Sequence, residues 1–189
     1  MEINESTLTL DSGVTIKNAK NNAYPSDGTN GSHCVIFIHE GGTLNMNEGA
    51  VIEDIGSNCG ALRIDSGCTF NMAGGIIQNC YTLDSNYNFE GVVMYVAEST
   101  VNITGGSIIN NSVNPKKSKG CIFVNPCGSS TVKVTGGTIT GNNASLGGAI
   151  YADLEDDCLD KPNTITVGGT AKIISNDGTS LGKYSNIYL

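Results

Sequence analysis

The chain has 189 residues, of which 39% are hydrophobic, so it is long enough for one domain with its own core. Its 25 Gly, the absence of Trp and the scarcity of good helix formers argue against a helical protein. The net charge of −8 disfavours a nucleic-acid partner. No apolar run reaches the length of a membrane span. The opening MEINESTLTL lacks the basic and apolar regions of a secretion signal.

The first predicted elements are short strands that recur along the chain. Apolar-x-apolar pairs repeat every 26 to 36 residues, each followed by a glycine turn and then by a single Ile. The pairs are Leu8/Leu10, Leu44/Met46, Phe70/Met72, Val101/Ile103, Val132/Val134 and Ile165/Val167. The isoleucines are Ile16, Ile52, Ile77, Ile108, Ile139 and Ile173.

A third alternating run follows each unit after a loop of variable length. Its predicted inward pairs are Ile36/Ile38, Leu62/Ile64, Met94/Val96, Ile122/Val124, Ile150/Ala152 and Ile187/Leu189. A unit of three short strands cannot bury its apolar face alone, but coils stacked about 4.8 Å apart can pair in parallel and share a core. We therefore predict an all-β fold, a right-handed parallel β-helix (β-solenoid) of about six three-stranded coils, as a single domain over residues 1–189.

The corners of the coils have their own residue pattern. Glycine pairs are predicted to supply the positive φ between the first two strands of a coil. Asn111, Asn142 and, one residue displaced, Asn176 follow the second strand, with Cys80 in that place one coil earlier. We expect these asparagines to bond from coil to coil as a structural ladder rather than to bind a ligand.

Two phrases resemble a known group of repeats. GGTITGNNA…GGAIYAD and the ending SNIYL are similar to the pectate-lyase-like β-helix repeats of large bacterial surface proteins, and to the GGAI and FxxN repeats of polymorphic outer-membrane adhesins, although a strict FxxN is absent here. The resemblance extends from about Leu8 to Leu189. It implies the β-helix fold, which carries lyases, hydrolases, adhesins and phage spikes alike.

The residues between the inward pairs of the third run are predicted to form one outward column. The column contains five aromatic residues and the only Arg: Phe37, Arg63, Tyr95, Phe123, Tyr151 and Tyr188. Flat exposed rings would suit a glycan chain, so Phe37, Arg63, Tyr95, Phe123 and Tyr151 are candidate ligand-binding residues. The alternative is a packed ladder covered by the long loops 20–33, 81–91 and 112–120.

A catalytic set, if one exists, would lie beside this column. A lyase or glycosidase needs carboxylates, with or without a basic residue, held on one face. His39, Glu40, Arg63, Asp65 and Glu98 could supply them on three adjacent coils, whereas coil-end carboxylates are also commonly plain solvated residues. The lyases to which the repeats are similar typically carry several Asp for calcium and a basic proton abstractor, and Arg63 is the only basic residue in these columns.

The segment DLEDDCLD is an acidic turn with two interpretations. Its carboxylates could hold Ca²⁺, although the spacing is not that of a DxDxDG loop, and a solvated acidic loop is the alternative. The candidate ligands are Asp153, Glu155, Asp156, Asp157 and Asp160. The chain has seven Cys and no CxxC, so at least one thiol should be free; Cys127 and Cys158 are a candidate disulfide, and the others are expected to be buried thiols.

The ends of a solenoid leave unpaired strand edges. We expect a polar lead, MEINEST, before the first strand, and a module of a longer protein whose edges meet adjacent domains of the parent chain or other copies. The expected function is that of a non-enzymatic, extracellular or cell-surface bacterial module, adhesin-like and able to bind host or dietary glycans along the column. A polysaccharide lyase or glycoside hydrolase and a purely structural stalk are the alternatives.

Overall fold

The computed structural model describes residues 1–21, 34–83, 91–112, 119–126, 128–152, 161–178 and 186–189. Within these ranges every regular element is a β-strand and none is a helix. All strand pairs are parallel, and each joins one coil to the next. The stacks are consistent with a right-handed parallel β-helix of six coils, which confirms the predicted fold.

Three sheets form the walls. Sheet A has seven strands: Glu2–Asn4, Ile36–His39, Leu62–Ile64, Gly91–Val96, Gly120–Val124, Ile150–Tyr151 and Ile187–Tyr188. Sheet B has six: Thr7–Leu10, Thr43–Met46, Thr69–Met72, Thr100–Ile103, Thr131–Val134 and Thr164–Val167. Sheet C has six: Thr15–Lys17, Val51–Glu53, Ile76–Gln78, Ser107–Ile109, Thr138–Thr140 and Lys172–Ile174.

The inward residues align as the repeat predicts. In sheet B, Ile103 lies opposite Val134, and the aromatic ring of Phe70 lies between Leu44 and Val101. The predicted isoleucines of sheet C form one column from Ile16 to Ile173. These side chains fill one continuous apolar core, because alternate residues of every strand point into the solenoid.

The structure corrects the predicted coil in two places. Each coil also has a fourth segment after sheet C, which we call sheet D: Lys20–Asn21, Gly56–Ser57, Tyr81–Thr82, Asn143–Ala144 and Asp177–Gly178, joined through single bridges at Ser112. The predicted polar lead was also wrong, because Glu2–Asn4 pairs with Ile36–His39 and buries Ile3. Both segments are too short to show a period in the sequence.

The structure also corrects two predicted assignments, one of an inward residue and one of a corner residue. Leu189 was predicted to point into the core, but it is 73% exposed. Asn176 is in register with Asn142 rather than displaced, since the strand Lys172–Ile174 that precedes it carries the same offset. The ladder of Asn111, Asn142 and Asn176 itself is confirmed, with amide bonds of 2.9 and 2.8 Å between successive members.

Candidate functional site

The predicted outward column exists on sheet A. Register pairs align Phe37 with Arg63, Arg63 with Tyr95, Tyr95 with Phe123, and the series continues through Tyr151 to Tyr188. We call these six residues the aromatic column. Each member lies between two inward residues of its strand, so the period of two brings it to the outer face.

The members of the column contact one another face to face. The ring centroids are 5.6 Å apart for Tyr95 and Phe123, 5.7 Å for Phe123 and Tyr151, and 4.9 Å for Tyr151 and Tyr188. The last pair is within 2° of parallel. Such contacts stabilise a parallel stack beyond simple burial, because offset rings suit the aromatic quadrupole.

The Arg63 guanidinium occupies the gap between two rings. Its Cζ lies 5.7 Å from the centroid of Phe37 and 4.9 Å from that of Tyr95, and its Nε donates to Asp65 Oδ1 at 2.9 Å. Burial lowers the pKa of Arg63, but the hydrogen bond and charge of Asp65 oppose this and leave it raised. The side chain therefore stays cationic and completes the column as a cation–π rung.

The middle of the column is closed to solvent. Phe123 is 1% exposed, Tyr151 6%, and Tyr95 and Arg63 9% each. The Tyr95 hydroxyl accepts a hydrogen bond from Asn125 Nδ2 at 2.7 Å. A sugar ring binds to an open aromatic face, and here each face meets its neighbour. The burial favours a packed ladder over an open glycan strip, and glycan binding by these residues stays a prediction. The loops 20–33, 81–91 and 112–120, which were expected to cover the ladder, lie for the most part outside the described residues.

Lys119 is a second cation on the column that the sequence analysis missed. Its Nζ lies 5.5 Å from the centroids of both Phe123 and Tyr151. The sequence feature that could have identified Lys119 is its position directly before the strand Gly120–Val124, where a long side chain can lie along the outer face of sheet A. The column thus carries a cation near each of its two halves.

The candidate catalytic residues lie on three adjacent coils, at the ends of sheet A strands, and their contacts differ. His39 stacks on Phe37 at 4.5 Å and lies 3.9 Å from Glu2 and 4.0 Å from Glu40. Asp65 is paired with Arg63, as described above. Glu98 accepts a hydrogen bond from Ser66 at 2.8 Å. Asp65 and Glu98 are thus each held by a neighbour in the walls, which is how structural carboxylates behave.

Glu98 also borders a cavity of about 270 Å³, together with Gly128, Ser129 and Lys161. Lys161 places a basic group near a candidate carboxylate, which the sequence analysis did not foresee because a long loop precedes it. Glu98 and Ser129 both have positive φ, at 48° and 43°, so the cavity wall is a turn at a corner of the coil. One carboxylate and one ammonium could hold a small charged group, but glycoside hydrolysis calls for two carboxylates.

No metal-binding group of three or more His, Cys, Asp or Glu occurs among the described residues. The candidate calcium ligands Asp153, Glu155, Asp156, Asp157 and Asp160 lie outside those residues, as do Cys127 and Cys158. In the part of the chain that the structure describes, no helix has the length and apolar character to span a bilayer.

Four of the five described cysteines behave as core residues, whereas Cys59 is half-buried rather than buried as expected. Cys34, Cys68, Cys80 and Cys121 are buried and free, as expected from their apolar surroundings. Burial raises the pKa of Cys34 and of Cys80 to about 12, so both are protonated at neutral pH. A buried protonated thiol is a poor nucleophile.

No family model, curated protein or solved structure matches the chain. The similarity of its repeats to pectate-lyase-like surface proteins therefore stays an expectation about family. The fold itself rests on the registers described above.

Proposed function

We propose that the chain is a non-enzymatic β-helix module of a secreted or cell-surface bacterial protein, acting as an adhesin-like stalk. The observation that carries the proposal is the aromatic column. Arg63, the one arginine, joins neighbouring coils through the rings of Phe37 and Tyr95 and is bonded to Asp65 within its own coil, so these two candidate catalytic groups are already paired.

The polar side chains inside the coils support the same role. Asn142 is 1% exposed, and its Nδ2 donates to Asn176 Oδ1 at 2.8 Å and to the Ile108 carbonyl at 2.9 Å. Buried amides with every bond made, as at Asn142, stiffen a structure. A module built in this way suits a stalk, whose task is to keep its shape.

The bacterial, extracellular setting comes from the resemblance of the repeats. Antibody raised against the purified chain should label intact cells of the source organism. Labelling only after the cells are broken would contradict that part of the proposal.

The adhesive and enzymatic alternatives can be tested with one set of variants. We expect wild type to release neither unsaturated nor reducing sugars from acidic polysaccharides, and Tyr95→Ala and Tyr151→Ala to lower the free energy of unfolding by about 3 kcal/mol each. Tyr151→Phe keeps the ring and serves as the matched control. Urea unfolding, a glycan array and a reducing-sugar assay supply the measurements.

Two outcomes would contradict the proposed stalk function. Glycan binding that survives in Tyr151→Phe and is lost in a folded Tyr95→Ala or Tyr151→Ala would establish the column as a glycan site. Sugar release that Asp65→Ala abolishes would establish a polysaccharide-cleaving enzyme.

A further inference from the structure

Two cysteines of successive coils lie close together where the strands of sheet A begin. Ile36 pairs with Leu62 in the parallel register of this sheet. Two residues earlier in both segments, Cys34 comes opposite Gly60, and Cys59 is the next residue back. Because neighbouring strands lie about 4.8 Å apart, this offset puts the Cα atoms of the two cysteines about 6 Å apart. Disulfides span such a distance without movement of the backbone.

The side chain of Cys34 points toward the next coil. Gly120 has the equivalent position in a later coil, two residues before Ile122, and a Cβ there would lie 2.9 Å from the backbone N of Tyr151. The residue that stands above Cys34 in the place of Tyr151 is Arg63. Its backbone N–H lies beside the Cys34 thiol, which is therefore directed at the coil that carries Cys59.

Cys59 lies on the same outer face of sheet A. It comes directly before the turn into its strand, as Lys119 does two coils later, and the Lys119 Nζ lies over two rings of the aromatic column. Both cysteines are thiols in this structure. Cys59 is half-buried and Cys34 is 4% exposed, so a reagent in solution reaches Cys59 first.

The Arg63 guanidinium interacts with both thiols. Burial raises the pKa of Cys34 to about 12, a negative charge on Cys59 acts in the same direction, and Arg63 opposes both. For Arg63, burial lowers the pKa, while Asp65 and then Cys59 raise it. The two sulfur atoms and the guanidinium are thus near enough to affect one another's ionisation. A cation in this place lowers the cost of the thiolate that disulfide exchange requires.

We propose that Cys34 and Cys59 are a redox pair, which forms a reversible disulfide between two successive coils by exchange with a small-molecule disulfide. The Cys59 thiolate attacks one sulfur of that molecule and displaces a thiolate, which leaves a mixed disulfide on Cys59. The Cys34 thiolate then attacks the Cys59 sulfur and displaces the second thiolate. The protein thiols lose two electrons and two protons, and the small disulfide takes them up as two thiols. The inference is independent of the stalk function, since it concerns thiol chemistry alone.

Oxidised glutathione is the probe for the linkage. The full-length chain is first reduced, then treated with oxidised glutathione, and the remaining thiols are alkylated. Cleavage after glutamate separates Cys34 from Cys59, because Glu40, Glu48 and Glu53 lie between them. We expect mass spectrometry to find the two peptides joined in wild type, and excess reduced glutathione to separate them again.

Matched serine variants test the order of the two steps. Cys34→Ser should stop at the mixed disulfide, with one glutathione held on Cys59. Cys59→Ser should leave the Cys34 thiol unmodified in the folded chain, because solvent hardly reaches it. In wild type, conversion of the mixed disulfide into the linked pair should quicken about tenfold per pH unit between about pH 7 and pH 9, since the pKa of Cys34 is about 12.

Urea unfolding measures the effect of the link on the solenoid. Oxidation should raise the urea midpoint of wild type, because the disulfide restricts the unfolded chain, and should leave that of Cys59→Ser unchanged. Circular dichroism verifies that each variant is folded. Two results would overturn the proposal: wild type without the linked pair, whether its thiols stay unmodified or end as mixed disulfides, or a folded Cys59→Ser that takes up glutathione on Cys34 as fast as Cys34→Ser does on Cys59.

Discussion

Two asparagine ladders run along the solenoid, and they differ in the surroundings of their amides. The inner ladder includes Asn111 and Asn142, which are 0% and 1% exposed. The outer ladder lies on sheet B, where Asn102 donates to Asn71 at 2.9 Å and Asn71 to Asn45 at 2.9 Å. The bond lengths are the same, so any difference in their contribution to stability comes from access to water.

Asn142→Ala should lower the free energy of unfolding by about 3 kcal/mol or more. The change deprives the backbone and side-chain N–H groups of Asn111 of their acceptor, and water cannot replace it in the core. Asn102→Ala is the matched control and should cost less than about 1 kcal/mol, because its half-buried neighbours can bond to water. Urea unfolding of the two variants tests this prediction. Equal losses in the free energy of unfolding would show that burial does not determine how much each ladder contributes to stability.

At the scale of the elements, the corner between sheets B and C explains the glycine pairs. The sequence analysis assigned positive φ to the pair, but in the structure only the second glycine has it, as at Gly137 with φ 74°. The first, Gly136, has no such φ; a Cβ there would collide with the Thr104 carbonyl of the previous coil. One glycine is required by conformation and the other by the close approach of stacked backbones.

Gly136→Ala should therefore be strongly destabilising, by about 3 kcal/mol or more, although its φ suits alanine. Gly168 lies one coil later in register with Thr135 rather than with Gly136, and a Cβ there meets nothing within 4 Å. Gly168→Ala should change the free energy of unfolding by less than about 0.5 kcal/mol. Thermal melting of both variants tests this difference. Similar losses of stability at the two positions would show that the close approach of stacked coils does not make Gly136 necessary.

At the scale of the whole molecule, stability should follow the one-dimensional order of the coils. Among the described residues the strand pairs join neighbouring coils, and in sheets B and C the first and last strands pair on one side alone. The exposed residues at the two ends, Val14 at 39% and Val167 at 46%, mark the same asymmetry. Local opening should therefore begin at the ends and spread inward.

Hydrogen exchange should show this gradient directly. Amides of the central strands Thr69–Met72 and Thr100–Ile103 should exchange most slowly, and those of Thr7–Leu10 and Thr164–Val167 fastest. Mass spectrometry of peptides from each coil, at a concentration where the chain is monomeric, supplies the comparison. Uniform protection from end to end would mean that the solenoid opens as one cooperative unit.

Much of the fold was predictable because its signals are local. Val101 and Ile103 alternate within one short strand, and a glycine follows within a few residues. The same local pattern returns one repeat later at Val132 and Val134. The aromatic column followed from the same period. The outer asparagine ladder could have been found in this way too, because Asn45, Asn71 and Asn102 stand at one position of the repeat.

By itself the sequence determined the strands of sheets B and C, those of sheet A other than Glu2–Asn4, most of the inward residues and the order of the coils, since a regular repeat converts distance along the chain into a fixed neighbour in space. Only the tertiary structure decided that the column from Arg63 to Tyr151 is closed to solvent and that Ile187–Tyr188 makes sheet A one strand longer than its neighbours. Exposure and edge matching depend on residues far apart in the chain, and no local pattern records which parts finally cover one another.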